Sequence, residues 1–310
     1  MTQNSATTRR LRRQLTPVLL ALLAVLVPPD VSAQFKSRYA NLPAVGGFGR
    51  GGMTTAMPPA TSQRRGAQQA AVSPARGVYP EFKTKAGQTI HWLREQMPLQ
   101  VWVSNGLAID TIIDPSTKVP FANVDQTGVW PDFVAYLIEN KKLSSLPQAQ
   151  SFQPEHRQAA IEGINLWKRF EKEGIFSFQL TEDPESADVH VFFTHHFVGK
   201  TGMALFAKDY KGLTSKRSFH IRDIEAGRTI PFKPVVVLLR TTDITPGEPV
   251  LSTPVMKKAA AHEFGHVLGI EEHSHNPNDL MSLYYGNGSI SPRDADTIRF
   301  LYKLKPDLVP

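Results

Sequence analysis

The amino-acid sequence predicts an α+β fold for residues 83–310. Two observations lead to this prediction: segments with helical and with strand periodicity follow one another in mixed order, and 41% of the residues are apolar, which is enough for a core. A third observation limits the fold to this part of the chain, because residues 34–82 are rich in Gly, Pro, Ala, Gln and Arg. We therefore expect a folded domain preceded by a disordered linker or short pro-region.

Residues 1–33 have the pattern of a signal peptide. Four arginines precede an apolar run at residues 15–27, and Ser32 and Ala33 supply small residues for cleavage after Ala33. The alternative is a membrane anchor, but the run is shorter than the roughly 20 residues that span a bilayer. We expect an exported protein, secreted or periplasmic, with no stable membrane span in its mature form.

The net charge of +7 is unevenly distributed along the chain. Residues 1–33 carry a net +3 and residues 34–82 a net +5, whereas residues 83–310 carry 25 basic and 26 acidic side chains. The predicted domain is thus electrically balanced, which argues against nucleic acid as a partner. Cysteine is absent from the sequence, and this excludes a thiol nucleophile and a cysteine-based zinc site.

Hydrophobic periodicity predicts the elements of the domain. Strands are expected at residues 99–103, 175–180, 189–193, 202–207 (an edge strand) and 235–239. Helices are expected at residues 131–142, 155–173, 253–269 and from 291 onward. Thr253 can cap the third helix, and Ser291, followed by Pro292 and Asp294, has the residue order of a helix start.

A histidine–glutamate motif lies on the third predicted helix. His262 and His266 are four residues apart, so both imidazoles can reach one ion at about 2.0–2.1 Å. Glu263 lies beside the first histidine and could take a proton from a zinc-bound water and deliver it to a leaving amine. Gly269 permits a left-handed turn, after which His273 can serve as a third ligand. The alternative is an ordinary helix with two incidental histidines.

This motif and the residues after it resemble the metzincin metallopeptidases, and more closely the bacterial matrixin-like proteins. Residues 273–281 are similar to the passage from third ligand to methionine turn, and residues 291–302 to the closing helix of that family. The resemblance implies a zinc endopeptidase domain with a twisted mixed sheet, long helices and an active-site cleft. It further implies one catalytic zinc ion, protein or peptide substrates, and Met281 as a hydrophobic floor beneath the metal.

The third ligand departs from the usual metzincin spacing. That spacing places the ligand at Glu272, whereas His273 lies one residue later, as in the bacterial variant, which has glycine where Glu272 stands here. We predict His273, because a neutral imidazole leaves the ion its full charge, which a carboxylate would reduce. Glutamate does not occur after Glu272, and this excludes the peptidase class whose third ligand is a downstream glutamate.

Four further assignments stay open at the level of sequence. Tyr284 or Tyr285 is a candidate for contacting the oxyanion. A catalytically silent binding module is the alternative function, although the intact Glu263 argues against it. Four histidines are candidates for a second metal site, and strand and turn positions explain them more simply: His190, His195, His196 and His220. Three acidic residues are candidates for binding calcium, and solvated loops explain them equally well: Asp183, Glu185 and Asp188.

Overall fold

A computed structural model describes residues 77–109, 122–198, 210–228, 233–242 and 250–310. The predicted signal peptide, residues 34–76 of the predicted linker and the predicted strand at 202–207 lie outside these ranges. Among the described residues, no helix is long and apolar enough to cross a membrane.

The strands form one five-stranded mixed sheet and one small ribbon. They are β1 (Leu99–Ala108), β2 (Phe178–Thr181), β3 (Val189–Thr194), β4 (Gly212–Ser215), β5 (Phe219–His220), β6 (Val235–Arg240) and β7 (Leu308–Val309). The order in the large sheet is β2-β1-β3-β6-β4, and β5 pairs with β7. All neighbours in the large sheet are parallel except β4, which pairs antiparallel with β6. An antiparallel strand thus forms one edge of the described sheet.

In the described ranges, four helices accompany this sheet at the predicted places, and a fifth, short helix at Ile221–Glu225 was not predicted. They are α1 (Trp130–Glu139), α2 (Pro154–Asn165), α3 (Ile221–Glu225), α4 (Thr253–Val267) and α5 (Pro292–Leu301). Short 3-10 turns lie at Pro80–Phe82, Arg94–Gln96, Val124–Val129, Leu143–Ser145, Leu166–Phe170 and Pro184–Ser186. The helix predicted at 155–173 is therefore an α-helix followed by a 3-10 turn, and Gly174 follows it with φ +67°. The arrangement confirms the α+β prediction.

Helix α4, which carries the histidine motif, is fixed by close packing against α2. Gly163 in α2 has no side chain between the helices: a Cβ there would overlap the Lys257 carbonyl and lie 2.9 Å from Ala261 N. Nearby, the indole nitrogen of Trp167 donates to the Ala261 carbonyl over 2.8 Å. Alternate residues of the central strands pack against the same helix pair in one core. These contacts hold α4 rigidly beside the sheet.

The starts of the last two long helices differ from each other. Ser291 caps α5 as predicted, since its Oγ accepts from Asp294 N over 3.0 Å and the Asp294 carboxylate accepts from Ser291 N over 2.8 Å. The predicted cap of α4 at Thr253 is wrong, because Thr253 is already the first helical residue and Ser252 is the N-cap. Ser252 supplies its backbone carbonyl, which accepts from Val255 and Met256, and makes no side-chain cap bond.

The segment just before residue 83 belongs to the folded part. Tyr79 and Phe82 are fully buried, Tyr79 Oη donates to Asp294 over 3.2 Å, and Tyr79 N donates to Thr297 Oγ1 over 3.2 Å. The predicted linker end at residue 82 is therefore too late. Composition averaged over a Gly/Pro-rich stretch does not reveal two aromatic side chains that bury against a distant helix.

Candidate metal centre and cleft

Three imidazoles meet at the C-terminal half of α4. The helix places His262 and His266 one turn apart, and their Nε2 atoms lie 3.2 Å from each other. His273 joins them from the following loop, so that one ligand atom from each ring lies within 4.8 Å of the others. Among the described residues, this is the group of His, Cys, Asp or Glu side chains that could hold a metal ion.

Backbone carbonyls orient the two helical imidazoles. His262 Nδ1 lies 2.7 Å from the Leu280 carbonyl, and His266 Nδ1 lies 2.5 Å from the Ile270 carbonyl. Each Nδ1 therefore carries the hydrogen and donates it, which leaves the Nε2 lone pairs directed at each other. A tetrahedral zinc ion with nitrogen ligands at 2.0–2.1 Å needs them about 3.3 Å apart. The observed separation fits zinc, whereas two acceptor lone pairs facing each other without a cation repel.

The protonation of the three histidines suits metal binding. Burial lowers the pKa of His262 to about 3, partly offset by its hydrogen bond to Leu280. Burial also lowers the pKa values of His266 and His273. Neutral imidazole is the form that binds a metal ion, so these rings are in the binding form at neutral pH.

The segment Gly269–His273, here called the ligand loop, begins with a turn that only glycine tolerates. Gly269 has φ +112°, and a Cβ at this position would overlap the Ile90 carbonyl. Directly after the turn, Ile270 N donates to the Gly265 carbonyl over 3.1 Å. The chain thereby reverses against the end of α4 and brings His273 back to the other two histidines, as the sequence predicts.

Backbone hydrogen bonds tie the ligand loop to the segment before residue 83. Glu271 N donates to the Phe82 carbonyl over 3.2 Å, and Glu272 N donates to the Glu81 carbonyl over 2.9 Å. Glu272 is half-buried and is not among the residues whose ligand atoms lie within 4.8 Å of one another. The geometry therefore places His273, and not the competing Glu272, beside His262 and His266.

Glu263 is almost fully buried, at 3% exposure, beside the edge strand β4. Thr214 Oγ1 donates to its Oε2 over 2.7 Å, and a Cβ at Gly212 would lie 2.8 Å from its Oε1. Burial raises the pKa of Glu263 to about 8, while the hydrogen bond from Thr214 lowers it. The side chain is held at a fixed place between helix and strand, next to the three imidazoles.

Met281 lies under α4, in the turn that the resemblance predicts. Its side chain is fully buried, and its sulfur lies so close to Gly265 that any Cβ there would overlap it. The Asp294 carboxylate accepts from Leu280 N over 2.8 Å and from Met281 N over 3.3 Å. This fixes the turn, and with it the Leu280 carbonyl that orients His262.

Beside the imidazoles lies a cavity of about 190 Å³, lined by the three histidines, Glu263 and residues of β4.

Residues 134–303 of this chain match the family model described as Matrixin. The chain belongs to the matrixin family. Matrixins are zinc metallopeptidases, so the family implies zinc as cofactor and proteins as substrates. A comparison with curated proteins gave no match.

The two candidate tyrosines of this matrixin differ in position. Tyr284 is 71% exposed, whereas Tyr285 is buried, lines the cavity and lies with its ring centroid 4.5 Å from that of His262. The Tyr285 hydroxyl accepts from Lys211 N over 3.3 Å. Of the two, Tyr285 is the one placed to contact a group bound in the cavity.

Three of the candidates for further metal sites have structural partners in this matrixin. His190 donates to the Pro184 carbonyl over 2.8 Å, and none of the four histidines is in a metal-binding group among the described residues. Asp183 accepts from Glu185 N over 3.0 Å and caps a 3-10 turn, while Asp188 accepts from Gln100 N over 2.7 Å. His190, Asp183 and Asp188 therefore have structural partners within the fold.

Sequence reasoning missed the residues that surround the histidines from other elements. Thr214 contacts Glu263 from 49 positions away, and Lys216 contacts the end of α4 from 50 positions away. Glu271 lines the same cavity from the ligand loop. No local pattern in the sequence signals these contacts, because they depend on β4 lying alongside α4.

Proposed function

We propose that this matrixin is an exported zinc endopeptidase in which His262, His266 and His273 hold the ion and Glu263 acts as general base. The observation that carries the proposal is the meeting of three imidazoles, one buried and two half-buried, beside a buried carboxylate in one cavity. A binding module needs neither that carboxylate nor its alignment by Thr214.

The chemistry divides between the ion and the protein. Zinc, when bound, polarises the scissile carbonyl and acidifies water. Burial alone favours the protonated form of Glu263, and the positive charge of a bound ion favours its carboxylate form. That carboxylate takes the proton of the attacking water and delivers it to the leaving amine. Because Thr214 occupies Oε2, Oε1 is the oxygen that remains for this transfer. Tyr285, at the cavity wall, is placed to donate to the oxyanion.

Substrate binding follows from the edge strand. A strand at the edge of a sheet offers unpaired backbone groups to which an extended peptide can add. β4 has this position beside Glu263 in the described sheet. Tyr210 and Leu283, both partly exposed, line the same cavity and offer apolar surface. We therefore propose extended polypeptides, with an apolar side chain near the scissile bond, as substrates.

A pair of matched substitutions tests the general base. Glu263→Gln should retain zinc and lose roughly 10²- to 10⁴-fold in kcat on casein, since proton transfer is removed while the ligands stay. Glu272→Gln is the control and should change neither zinc binding nor kcat. A chelator should abolish cleavage by the parent protein, and zinc should restore it. If Glu263→Gln cleaves casein at the parent rate, the mechanism is wrong; if the parent binds zinc without cleaving, the silent binding module is the better account.

A second pair tests the ligand set. His273→Ala should lose most of the bound zinc, measured by metal analysis after dialysis, because one of three protein ligands is removed. Glu272→Ala should keep it. The reverse result would assign the third ligand to Glu272.

Export is proposed from the N-terminal pattern alone. The exported protein should begin at Gln34 or later, because the apolar run is followed by small residues up to Ala33. Intact-mass analysis of the exported protein measures this, and a mass that includes Met1 contradicts it.

A further inference from the structure

Lys216, directly after β4, reaches two elements of the metal centre. Its Nζ donates to the His266 carbonyl over 2.7 Å and lies 2.5 Å from Glu271 Oε1. The two side chains of this ion pair are only 10% and 16% exposed. The other partner, the His266 carbonyl, lies in the last turn of α4, where carbonyls carry partial negative charge, and it also accepts from Gly269 N over 3.1 Å.

This contact joins three parts of the site. Lys216 extends the edge strand beside Glu263, His266 belongs to the helix, and Glu271 stands on the ligand loop two residues before His273. The loop is one residue longer than the usual metzincin spacing allows, so the turn at Gly269 does not by itself determine where His273 lies. A low-exposure ion pair that bridges loop and helix end supplies the missing constraint.

We propose that Lys216 and Glu271 are positioning residues that hold the ligand loop against α4, so that His273 meets the other two imidazoles. The inference rests on the proposed zinc site. The two charges act as a unit: a lysine alone beside a divalent cation repels it, and Glu271 neutralises that lysine. Removing Glu271 therefore loosens the loop and leaves an uncompensated positive charge, which repels the ion. Removing Lys216 also loosens the loop but leaves an uncompensated negative charge, which does not repel the ion.

The test measures zinc affinity by competition with a chelator, using the full chain and the variants Lys216→Met, Glu271→Gln and the double variant. Residues that support metal ligands typically change metal affinity by about 10- to 100-fold, and each single variant should weaken zinc within this range, Glu271→Gln more than Lys216→Met. The double variant should bind no more weakly than Glu271→Gln. Absorption spectra of the Co²⁺-substituted proteins should differ from the parent spectrum, because the geometry at His273 changes.

Lys257→Met is the matched control. Lys257 lies on α4, the helix that carries His266, and pairs with Glu162 at the surface, where the two side chains are 40% and 47% exposed. This control variant should leave zinc affinity and the Co²⁺ spectrum unchanged. If Lys216→Met binds zinc as tightly as the parent does, the positioning role is overturned. If Lys216→Met does not fold, the same result in Glu271→Gln overturns it. Failure of the parent itself to bind zinc overturns the proposed site as well, so the two failures are distinguishable.

Discussion

The buried side chain of His190 makes the free energy of unfolding depend on pH. It lies in the middle strand β3, fully buried, with its ring 5.6 Å from Trp102 and nearly parallel to Phe192. Burial lowers the pKa of His190 to about 4, although the hydrogen bond to the Pro184 carbonyl opposes this. The folded protein therefore keeps this histidine neutral over a range in which an unfolded chain protonates it.

The size of the pH-dependent loss in the free energy of unfolding follows from the pKa values of His190 in the folded protein and in the unfolded chain. An exposed histidine has a pKa of about 6.5, so above that pH neither state binds the proton and the neutral ring imposes no penalty. As the pH falls from 6.5 towards 4, the unfolded chain binds a proton that the folded protein does not, and stability decreases. The total loss is about 3 kcal/mol, and most of it falls between pH 7 and pH 4.5.

Urea denaturation of the metal-free protein at these two pH values measures the effect. His190→Gln retains an N–H donor for Pro184 and cannot titrate, so it should lose about 2 kcal/mol less than the parent between pH 7 and pH 4.5. The metal-binding histidines are present in both proteins, so their contributions to the pH dependence of stability cancel in the comparison. Equal pH dependence in parent and His190→Gln would refute the reasoning.

Three further predictions concern buried contacts. Asp294→Asn should lower the free energy of unfolding by about 2–4 kcal/mol, since the N–H groups of the methionine turn lose a charged acceptor, whereas Asp296→Asn on the same helix should cost under about 0.5 kcal/mol. Ser291→Ala should cost about 1 kcal/mol or more as a lost cap; an unchanged urea midpoint contradicts it. Gly212→Ala should lower kcat on casein roughly 10- to 100-fold with zinc retained, because its Cβ displaces Glu263; parent-like kcat contradicts this.

The parts of the site that were predictable from sequence depend on local periodicity. His262 and His266 follow from helical spacing, and the start of α5 follows from Ser291, Pro292 and Asp294, whose roles are set by neighbours three residues away. The buried strands β3 and β6 follow from short apolar runs. In each case the structure is determined by residues close together in the chain.

What could not be predicted depends on distant parts of the chain. β4 consists of Gly212, Leu213, Thr214 and Ser215, which have no strand periodicity, and it is a strand because β6 pairs with it. Thr214 and Lys216 obtain their roles only from that pairing, which places them against α4. Likewise Tyr79 and Phe82 sit in a sequence that composition describes as a linker, and their burial depends on α5 and the ligand loop.

The longer spacing before His273 shows how contacts outside a motif accommodate a change inside it. At the usual spacing, residue 272 would be the ligand; here its backbone N–H pairs with Glu81, and that of Glu271 pairs with Phe82. The extra residue thus lies in a stretch of the ligand loop whose backbone N–H groups donate to the segment before residue 83. The charge of Glu271 holds the same stretch on the side of Lys216. Motif spacing alone therefore underdetermines the third ligand, and the strand and N-terminal segment that flank the loop complete its position.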